Sequence, residues 1–280
     1  MPSVVIPAHN EQMVIERCLR SFLAGPLPDE LEVIVVCNGC TDETARVARE
    51  VDPLIQVIET DVPSKSNALN LGDATATTFP RMYLDADIEL GPGALQACFD
   101  VIQGGVHASA PRAVFEYGEA SLPVRMFHTA WLRVPYFNGS MIGTGVYTMS
   151  EEGRNRFDHF PSIIADDGFA RLQFDASERV AVPDVTFTIR IPQTLESLIS
   201  IKSRVLAGSD ELFDLYPELL QQEETNKPAA VAAVLKRPHL WPSFVVYVAI
   251  KRAIRKRVEK KKRTGELGKW DRDDSSRTGD

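Results

Sequence analysis

Short apolar segments alternate with helical patterns through the first half of the chain, and this alternation constrains the fold more than any other feature. The segments read VVIPA, LEVIVVC, LIQVIE and RMYLD, and the helical patterns cover residues 12–24, 41–51, 65–78 and 93–103. A strand–helix–strand rhythm favours right-handed crossovers and a mostly parallel sheet with helices on both faces. The sequence therefore predicts an α/β fold.

Polar clusters follow these segments at the points where the predicted strands end. They are PAHNE at 7–11, NGCTD at 38–42, SKSNALN at 64–70 and DAD at 85–87. Ligands of such sheets bind at the carboxyl ends of the strands. We therefore expect one ligand site to gather all four clusters.

The DAD cluster places two carboxylates, Asp85 and Asp87, at the exit of a short buried strand, where both should project to the same side. Aligned carboxylates repel each other, and each is costly to desolvate. A divalent cation held between them, or between them and a ligand's phosphates, removes both costs. The alternative is that one aspartate caps the next helix and the other is solvated.

Two common phosphate-binding loops are absent from the sequence. The first strand runs into PAHNEQ without G-x-G-x-x-G, and the chain contains no G-x-x-x-x-G-K-[ST]. The sequence therefore supports neither a Rossmann dinucleotide site nor a P-loop. Bound phosphates would instead need a metal ion together with Lys or Arg.

Cys37 and Cys40 form a C-x-x-C at the end of the second predicted strand. Such a pair occurs in redox sites and as half of zinc sites. No second C-x-x-C or H-x-x-x-H accompanies it, and the pair closes a strand instead of opening a helix. The sequence alone therefore disfavours both roles.

The composition is that of a globular chain, with 280 residues, of which 44% are hydrophobic and 25% charged. The first apolar run begins at Ser3, which leaves no room for the charged region and apolar core of a signal peptide. The four cysteines do not form a secreted disulfide framework. We therefore expect a cytoplasmic protein.

A basic segment stands apart from the net charge of −8. Residues 251–263 hold nine Lys or Arg and one Glu, which points to an anionic surface contacted by this segment alone and not to a nucleic-acid groove. One apolar helical stripe accompanies the charges, formed by Tyr247, Ile250, Ile254 and Val258, with Phe244 at its start. We interpret it as an amphipathic helix on the inner face of the cell membrane, too short in apolar length to span it. The alternative is that the stripe packs on the protein.

Several segments, taken in order, resemble the GT-A glycosyltransferases of family 2 over about residues 2–210. VVIPAHNEQMVIERCLRSF resembles the opening strand and helix, VIVVCNGCTDET the second strand and loop, KSNALNLG the lysine segment and LDAD the D-x-D motif. Downstream, GTGVYTMS resembles the acceptor-side strand and ADDGFARLQF the start of the E-D helix. The resemblance implies a Rossmann-like, mixed and mostly parallel sheet flanked by helices, with a helical C-terminal extension.

The resemblance also implies a reaction, the transfer of a sugar from a nucleoside-diphosphate-sugar to an acceptor hydroxyl with inversion at the anomeric carbon. A cation, Mn²⁺ or Mg²⁺, would neutralise the departing diphosphate, with Asp87 as its direct ligand and Asp85 closer to the ribose. Inversion needs a base on the far side of the sugar, and the matching position is Asp167. Neighbouring helical residues point about 100° apart, so we interpret Asp166 as a cap or loop anchor on the acceptor side. It remains open that both aspartates are caps.

Further site residues are carried over from the same family. Gly143 and Gly145 match the acceptor side. Lys65 and Arg204 match the cations on the diphosphate, although either can equally be a solvated helix residue, and Val205 replaces an aromatic residue that often follows. The residues expected to line the nucleotide are Pro7, Ala8, Asn10, Glu11, Asn38 and Ala86.

The chain departs from the family in the second loop, where Cys37-Asn38 replaces paired acidic residues. An Asn amide both donates and accepts, so it can pair with uracil, thymine or guanine, and the donor base stays open. His128 and His159 are the other candidate bases by chemistry. Both lie beside phenylalanines, which favours partly buried structural roles.

We expect a GT-A domain over residues 1–218, a helical extension over 219–263 and a polar tail over 264–280. Within the extension, 219–229 reads as a linker, followed by helical segments at 228–236 and from about 243. The expected acceptor is a lipid-linked or cell-surface glycan precursor. Two alternatives remain: a sugar nucleotidyltransferase or pyrophosphorylase, which the missing glycine loop disfavours, and an inactive nucleotide-sugar-binding scaffold, which the intact D-x-D and Asp167 disfavour.

Overall fold

The computed structural model describes residues 1–133, 144–222 and 237–264. The chain divides into two compact units. The first comprises the described residues of Met1–Val114 and Gly139–Ile189, and the second those of Phe115–Asn138 and Arg190–Asp280. The domain boundaries expected at residues 218 and 263 stay a prediction.

The secondary structure alternates strands and helices in the N-terminal part of the chain. The strands are β1 (Ser3–Ala8), β2 (Glu32–Asn38), β3 (Ile55–Thr60), β4 (Arg81–Leu84), β5 (Glu89–Leu90), β6 (Ala108–Glu116), β7 (Val146–Met149) and β8 (Arg179–Arg190). The described α-helices are α1 (Ile15–Leu23), α2 (Thr44–Val51), α3 (Lys65–Thr75), α4 (Ala94–Gln103), α5 (Leu122–Trp131), α6 (Glu151–Arg154), α7 (Asp166–Arg171), α8 (Leu195–Leu215) and α9 (Trp241–Thr264). Short 3-10 helices cover Pro217–Gln222 and Pro238–Leu240.

An eight-stranded mixed sheet forms the centre of the first unit, in the order β3-β2-β1-β4-β7-β6-β8-β5. The neighbours β3–β2, β2–β1 and β1–β4 are parallel, whereas β4–β7, β7–β6 and β8–β5 are antiparallel. The parallel half is the part that the strand–helix alternation predicts. The α/β fold class with a mixed sheet is confirmed.

Both faces of the sheet are covered. Val4 and Ile6 of β1 belong to one apolar cluster, and Val5 between them belongs to another. This is the expected result when successive side chains of a strand point to opposite faces. Helix α1 shows the matching helical period, since Ile15, Leu19 and Phe22 are buried at spacings of four and three.

The second unit is built on α5, α8 and α9. Helix α9 packs along both of the others, and its buried side chains are Ile250, Ile254 and Val258. Ile250 and Ile254 join Val124, Phe127 and other residues in one apolar cluster. The apolar stripe that the sequence analysis assigned to a membrane therefore faces its own unit, which corrects that interpretation and supports the packing alternative.

Among the described residues, no helix is both long and apolar enough to cross a membrane. The helix expected from about residue 243 is present and begins at Trp241. The helical segment expected at 228–236 and most of the expected tail lie outside the described residues, as does Gly143.

Candidate active site

The carboxyl ends of the parallel strands meet at one edge of the sheet. Ala8, at the end of β1, is the register partner of Cys37 in β2, and Cys37 is in turn the partner of Glu59 in β3. The loops after these strands therefore start side by side, as the polar clusters predict.

Three charged side chains from distant parts of the sequence meet there. Lys65, the first residue of α3, places its Nζ 2.8 Å from Oδ1 of Asp85 and 3.1 Å from Oδ2 of Asp166. Asp85 follows the last residue of β4, and Asp166 is the first residue of α7. The start of α3 is fixed by the Ser64 side chain, which accepts a hydrogen bond from the Asn67 amide. The structure thus brings together three of the residues singled out in the sequence.

Burial and charge oppose each other within this cluster. Burial would lower the pKa of the Lys65 ammonium, but Asp166, Asp85 and Asp167 together raise it above its ordinary value. Burial raises the pKa of the Asp166 carboxyl, and the Lys65 ammonium opposes that rise. Lys65 is therefore the cation that makes a buried carboxylate at Asp166 tolerable.

Asp167 has the proton affinity of a base that works near neutrality. Burial, followed by repulsion from Asp166, raises its pKa from 3.8 to about 7. Its Oδ1 accepts a hydrogen bond from the Gly168 amide at 2.7 Å. The N-cap position of α7 is Ala165, without a side-chain cap, so the interpretation of Asp166 as a cap is wrong. Asp166 is instead held by its ion pair with Lys65.

Gly145 lies against Asp85. Its carbonyl accepts a hydrogen bond from the Asp85 amide at 2.7 Å, and its backbone has φ +78°, a conformation that favours glycine. A Cβ at this position would lie 2.9 Å from Oδ2 of Asp85. The absence of a side chain at Gly145 therefore allows the Asp85 carboxylate to lie close to the backbone just before β7.

Asp87 lies in the turn after β4, and its side chain is exposed, whereas Ala86 between the aspartates is buried. Within the part of the chain that the structure describes, no three His, Cys, Asp or Glu side chains are grouped to hold a metal ion. Asp85 and Asp87 together offer hard carboxylate oxygens, which fit Mn²⁺ or Mg²⁺ provided that a ligand's phosphates complete the coordination.

The loops expected to hold the nucleotide are joined to each other. Asn10 has φ 54°, and its Oδ1 accepts a hydrogen bond from the Thr41 amide at 2.7 Å. The Glu11 amide donates to Oγ1 of Thr44, also at 2.7 Å. The buried Asn38 donates from Nδ2 to the Ala8 carbonyl at 2.9 Å. One function of Asn38 is therefore to fix the end of β1.

Other sequence candidates lie elsewhere. Pro7 is buried within β1, and Arg204 is an exposed residue of α8 in the second unit, so its assigned role stays a prediction. His128 is buried among aromatic rings of the second unit, and burial lowers its pKa to about 4. Both observations agree with the structural role expected for it. His159 is exposed beside Asp158, so the expectation that it is partly buried is wrong.

Sequence reasoning missed Tyr147. This residue of β7 is 2% exposed and stacks on Tyr83 with ring centroids 5.2 Å apart. Burial, reinforced by the nearby carboxylates Asp166 and Asp167, raises its pKa. Its hydroxyl has no hydrogen-bond partner among the residues that the structure describes. The available signal was a tyrosine in the short strand that follows Gly145.

Comparisons with known proteins agree on one family. The family model described as Glycosyl transferase family 2 matches residues 3–168. A 4,4'-diaponeurosporenoate glycosyltransferase of Staphylococcus aureus is 36% identical over 90 residues, which is 31% of this chain and only 24% of that relative.

Solved structures share the fold. The mannosyltransferase PcManGT from Pyrobaculum calidifontis, in complex with GDP-Man and Mn²⁺, has a TM-score of 0.61 and 21% identity over 90% of this chain and 73% of that one. TarS 1-349 of S. aureus, in complex with UDP-GlcNAc, has a TM-score of 0.54 and 13% identity over 99% of this chain and 89% of that one.

Proposed function

The chain belongs to glycosyl transferase family 2, and on this basis we propose that it transfers a sugar from a nucleoside-diphosphate-sugar to an acceptor hydroxyl with inversion at the anomeric carbon. The observation that carries the proposal is the position of Asp167, beside the cluster of Lys65, Asp85 and Asp166 and with a pKa of about 7. Membership of a glycosyltransferase family argues against the pyrophosphorylase alternative. Measured sugar transfer by the protein would exclude the inactive-scaffold alternative.

Asp85 and Asp87 would hold the divalent cation, which supplies positive charge to the departing diphosphate. Lys65 holds the Asp85 carboxylate in place before the donor arrives, through the 2.8 Å ion pair. The solved structures that carry GDP-Man with Mn²⁺ or UDP-GlcNAc support a nucleotide-sugar donor and a divalent cation for this chain as well.

Asp167 would take the proton of the acceptor hydroxyl as its oxygen attacks the anomeric carbon. A carboxylate with a pKa of about 7 is half deprotonated at neutral pH, yet is a far better proton acceptor than an ordinary aspartate. The neighbouring Asp166 contributes by raising the proton affinity of Asp167, while Lys65 stabilises the pair against unfavourable burial.

Calorimetry with GDP-Man and UDP-GlcNAc, in the presence and absence of Mn²⁺, tests the donor site. We expect Mn²⁺-dependent binding of at least one donor, and its loss in Asp87→Ala. Asp158→Ala is the matched control, because that carboxylate is 99% exposed in the same unit. Unchanged affinity and metal dependence in Asp87→Ala would disprove the metal assignment.

The proposed acceptor is a lipid-linked or cell-surface glycan precursor, reached at an anionic membrane surface on the inner face of the cell membrane. The support is the outer side of α9, where the exposed side chains are Lys251, Arg252, Arg255, Lys256, Lys260, Lys262 and Arg263. Because the apolar stripe of α9 is buried, attraction would come from charge, at ~1 kcal/mol for each Lys or Arg near the surface.

Flotation with vesicles tests this surface. Replacing Arg252, Arg255, Lys256 and Lys260 with Gln should abolish recovery with anionic vesicles while leaving the buried stripe intact. Vesicles of neutral lipid are the control, and high salt should release the wild-type protein. Equal recovery of the variant and the wild type would rule the surface out.

A further inference from the structure

Cys37 and Cys40 lie together at the end of β2. Cys37 is buried as the last residue but one of the strand, and Cys40 is half-buried in the loop that follows. Gly39 between them has φ +59°, and a Cβ there would lie 2.8 Å from the Pro63 side chain. This glycine turn places both side chains against the same apolar cluster, with Cys37 as a buried member and Cys40 packed against it.

Backbone groups of the neighbouring loop surround the Cys40 sulfur. The Asn10 amide donates to Sγ at 3.3 Å, and Sγ lies 3.5 Å from the Ala8 carbonyl, to which the thiol can donate. Ala8 is also the register partner of Cys37, so both cysteines lie beside the same residue of β1. The sulfur of Cys40 is therefore one of the groups that join the β1–α1 loop to the β2–α2 loop.

The two cysteines differ in reactivity. A hydrogen bond from Cys37 and another from the Asn10 amide outweigh burial and lower the pKa of Cys40 to about 6, which favours its thiolate at neutral pH. The pKa of Cys37 is raised, first by its hydrogen bond to Cys40 and then by burial. Cys18 and Cys98 are buried, and burial raises the pKa of both thiols. Cys40 is thus the thiol prepared for oxidation, and Cys37 is the thiol placed to resolve it.

We propose that Cys37 and Cys40 are a reversible redox site, in which a disulfide between them loosens the junction of the β1–α1 and β2–α2 loops. The oxidant is a peroxide. The Cys40 thiolate attacks one peroxide oxygen of hydrogen peroxide and becomes a sulfenic acid, while the other oxygen leaves as hydroxide and is protonated to water. The Cys37 sulfur then attacks the Cys40 sulfur and expels hydroxide, which takes the Cys37 proton and forms a second water. Two electrons pass from the thiols to the peroxide, and a dithiol reverses the reaction.

The disulfide would weaken the hydrogen bond that the Asn10 amide donates to the Cys40 sulfur. A disulfide sulfur is neutral, so it is a weaker acceptor of the Asn10 N–H than the Cys40 thiolate is. If the proposed function is right, this junction lies beside the donor nucleotide, and oxidation would weaken nucleotide binding by about tenfold, the equivalent of one lost hydrogen bond.

Thiol counting and intact mass after treatment with hydrogen peroxide test the proposal without any substrate. The wild type should fall from four free thiols to two, lose the mass of two hydrogen atoms and recover in dithiothreitol. Cys37→Ser and Cys40→Ser should form no intramolecular disulfide. Cys98→Ala is the matched control, since it removes a buried cysteine outside the pair and should still form the disulfide.

Hydrogen exchange of residues 9–14 reports on the junction itself. Exchange should be faster in the oxidised wild type than in the reduced one, and peroxide should not change it in Cys37→Ser. The proposal is overturned if four thiols persist in the wild type, or if the disulfide forms without faster exchange. Failure of the proposed function would be separate, because the reduced protein would then bind neither UDP nor GDP.

Discussion

At the scale of single residues, the site depends on one cation shared between carboxylates. Lys65 pairs with Asp85 and with the buried Asp166, and Asp167 follows next in the chain with its pKa raised to about 7. The adjacent aspartates thus have different surroundings, because only Asp166 forms an ion pair with the Lys65 ammonium.

Asp167→Asn should retain donor binding and lose turnover by ~100- to 10,000-fold, since the variant keeps the shape and removes the proton acceptor. In the wild type, kcat/KM should rise as the pH increases through about 7, because the base must be deprotonated to act. Steady-state rates measured from about pH 5.5 to about pH 8.5 cover more than one unit on either side of the pKa and report both effects. Asp158→Asn is the control. Retention of more than half the turnover would eliminate Asp167 as the base.

Gly145→Ala should weaken donor binding, because the added Cβ would displace the Asp85 carboxylate from Lys65. Gly93→Ala is a matched control: its φ is also positive, at 72°, but a Cβ there meets nothing within 4 Å. Both variants carry a backbone cost of about 1–2 kcal/mol. If calorimetry gave the same nucleotide affinity for the two, the close approach of Gly145 to Asp85 would have no role in binding.

At the scale of elements, α9 shows that the amphipathic pattern of a helix does not identify the surface against which its apolar face packs. Its apolar stripe packs with α5 and α8, whereas seven of its nine basic residues are exposed. The stability of the second unit and any attraction to an anionic surface therefore depend on opposite sides of one helix.

Ile254→Ala should reduce the free energy of unfolding by ~2–5 kcal/mol, because Ile254 is 3% exposed and its truncation leaves a cavity among apolar side chains. Arg255→Ala, at the neighbouring exposed position, should change the free energy of unfolding by no more than about 0.5 kcal/mol. Urea denaturation with tryptophan fluorescence measures both. Equal stability of the two variants would contradict the packing of α9.

At the scale of the whole molecule, the burial of the Asp167 carboxyl makes stability depend on pH. The folded-state pKa of Asp167 is raised from 3.8 to about 7, so the folded protein binds an extra proton between these values. The corresponding contribution to stability is fully present below about pH 3.8 and is lost as the pH rises through about 7. The buried His128, whose pKa is lowered to about 4, changes stability in the opposite direction over part of this range.

Comparison with Asp167→Asn isolates the carboxylate, because His128 is common to both proteins. Relative to the wild type, the variant should become progressively more stable as the pH rises from about 4 to about 7. Urea denaturation at several pH values gives the difference in the free energy of unfolding. A difference that stays constant with pH would mean that the pKa of Asp167 is not raised by folding.

The sequence by itself determined the parallel half of the sheet and the edge at which the polar clusters gather. Both follow from local patterns, since side chains of a strand alternate between its faces and those of a helix recur at three and four residues. Asp85 and Lys65 could be singled out because polar clusters at strand ends stand out against apolar runs. Asp166 and Asp167 were indicated only by the resemblance of their segment to the GT-A glycosyltransferases of family 2.

Only the tertiary structure decided which of these residues meet and what surrounds them. The ion pairs of Lys65 join residues 20 and 101 positions away along the chain, and no local pattern encodes such contacts. The same is true of the Asn10 amide on Cys40 and of the tyrosine rings behind the carboxylates. The stripe of α9 was assigned to the wrong partner because membrane and protein interior are both apolar. The sequence shows that an apolar face must be removed from water, and only the tertiary structure shows which surface it packs against.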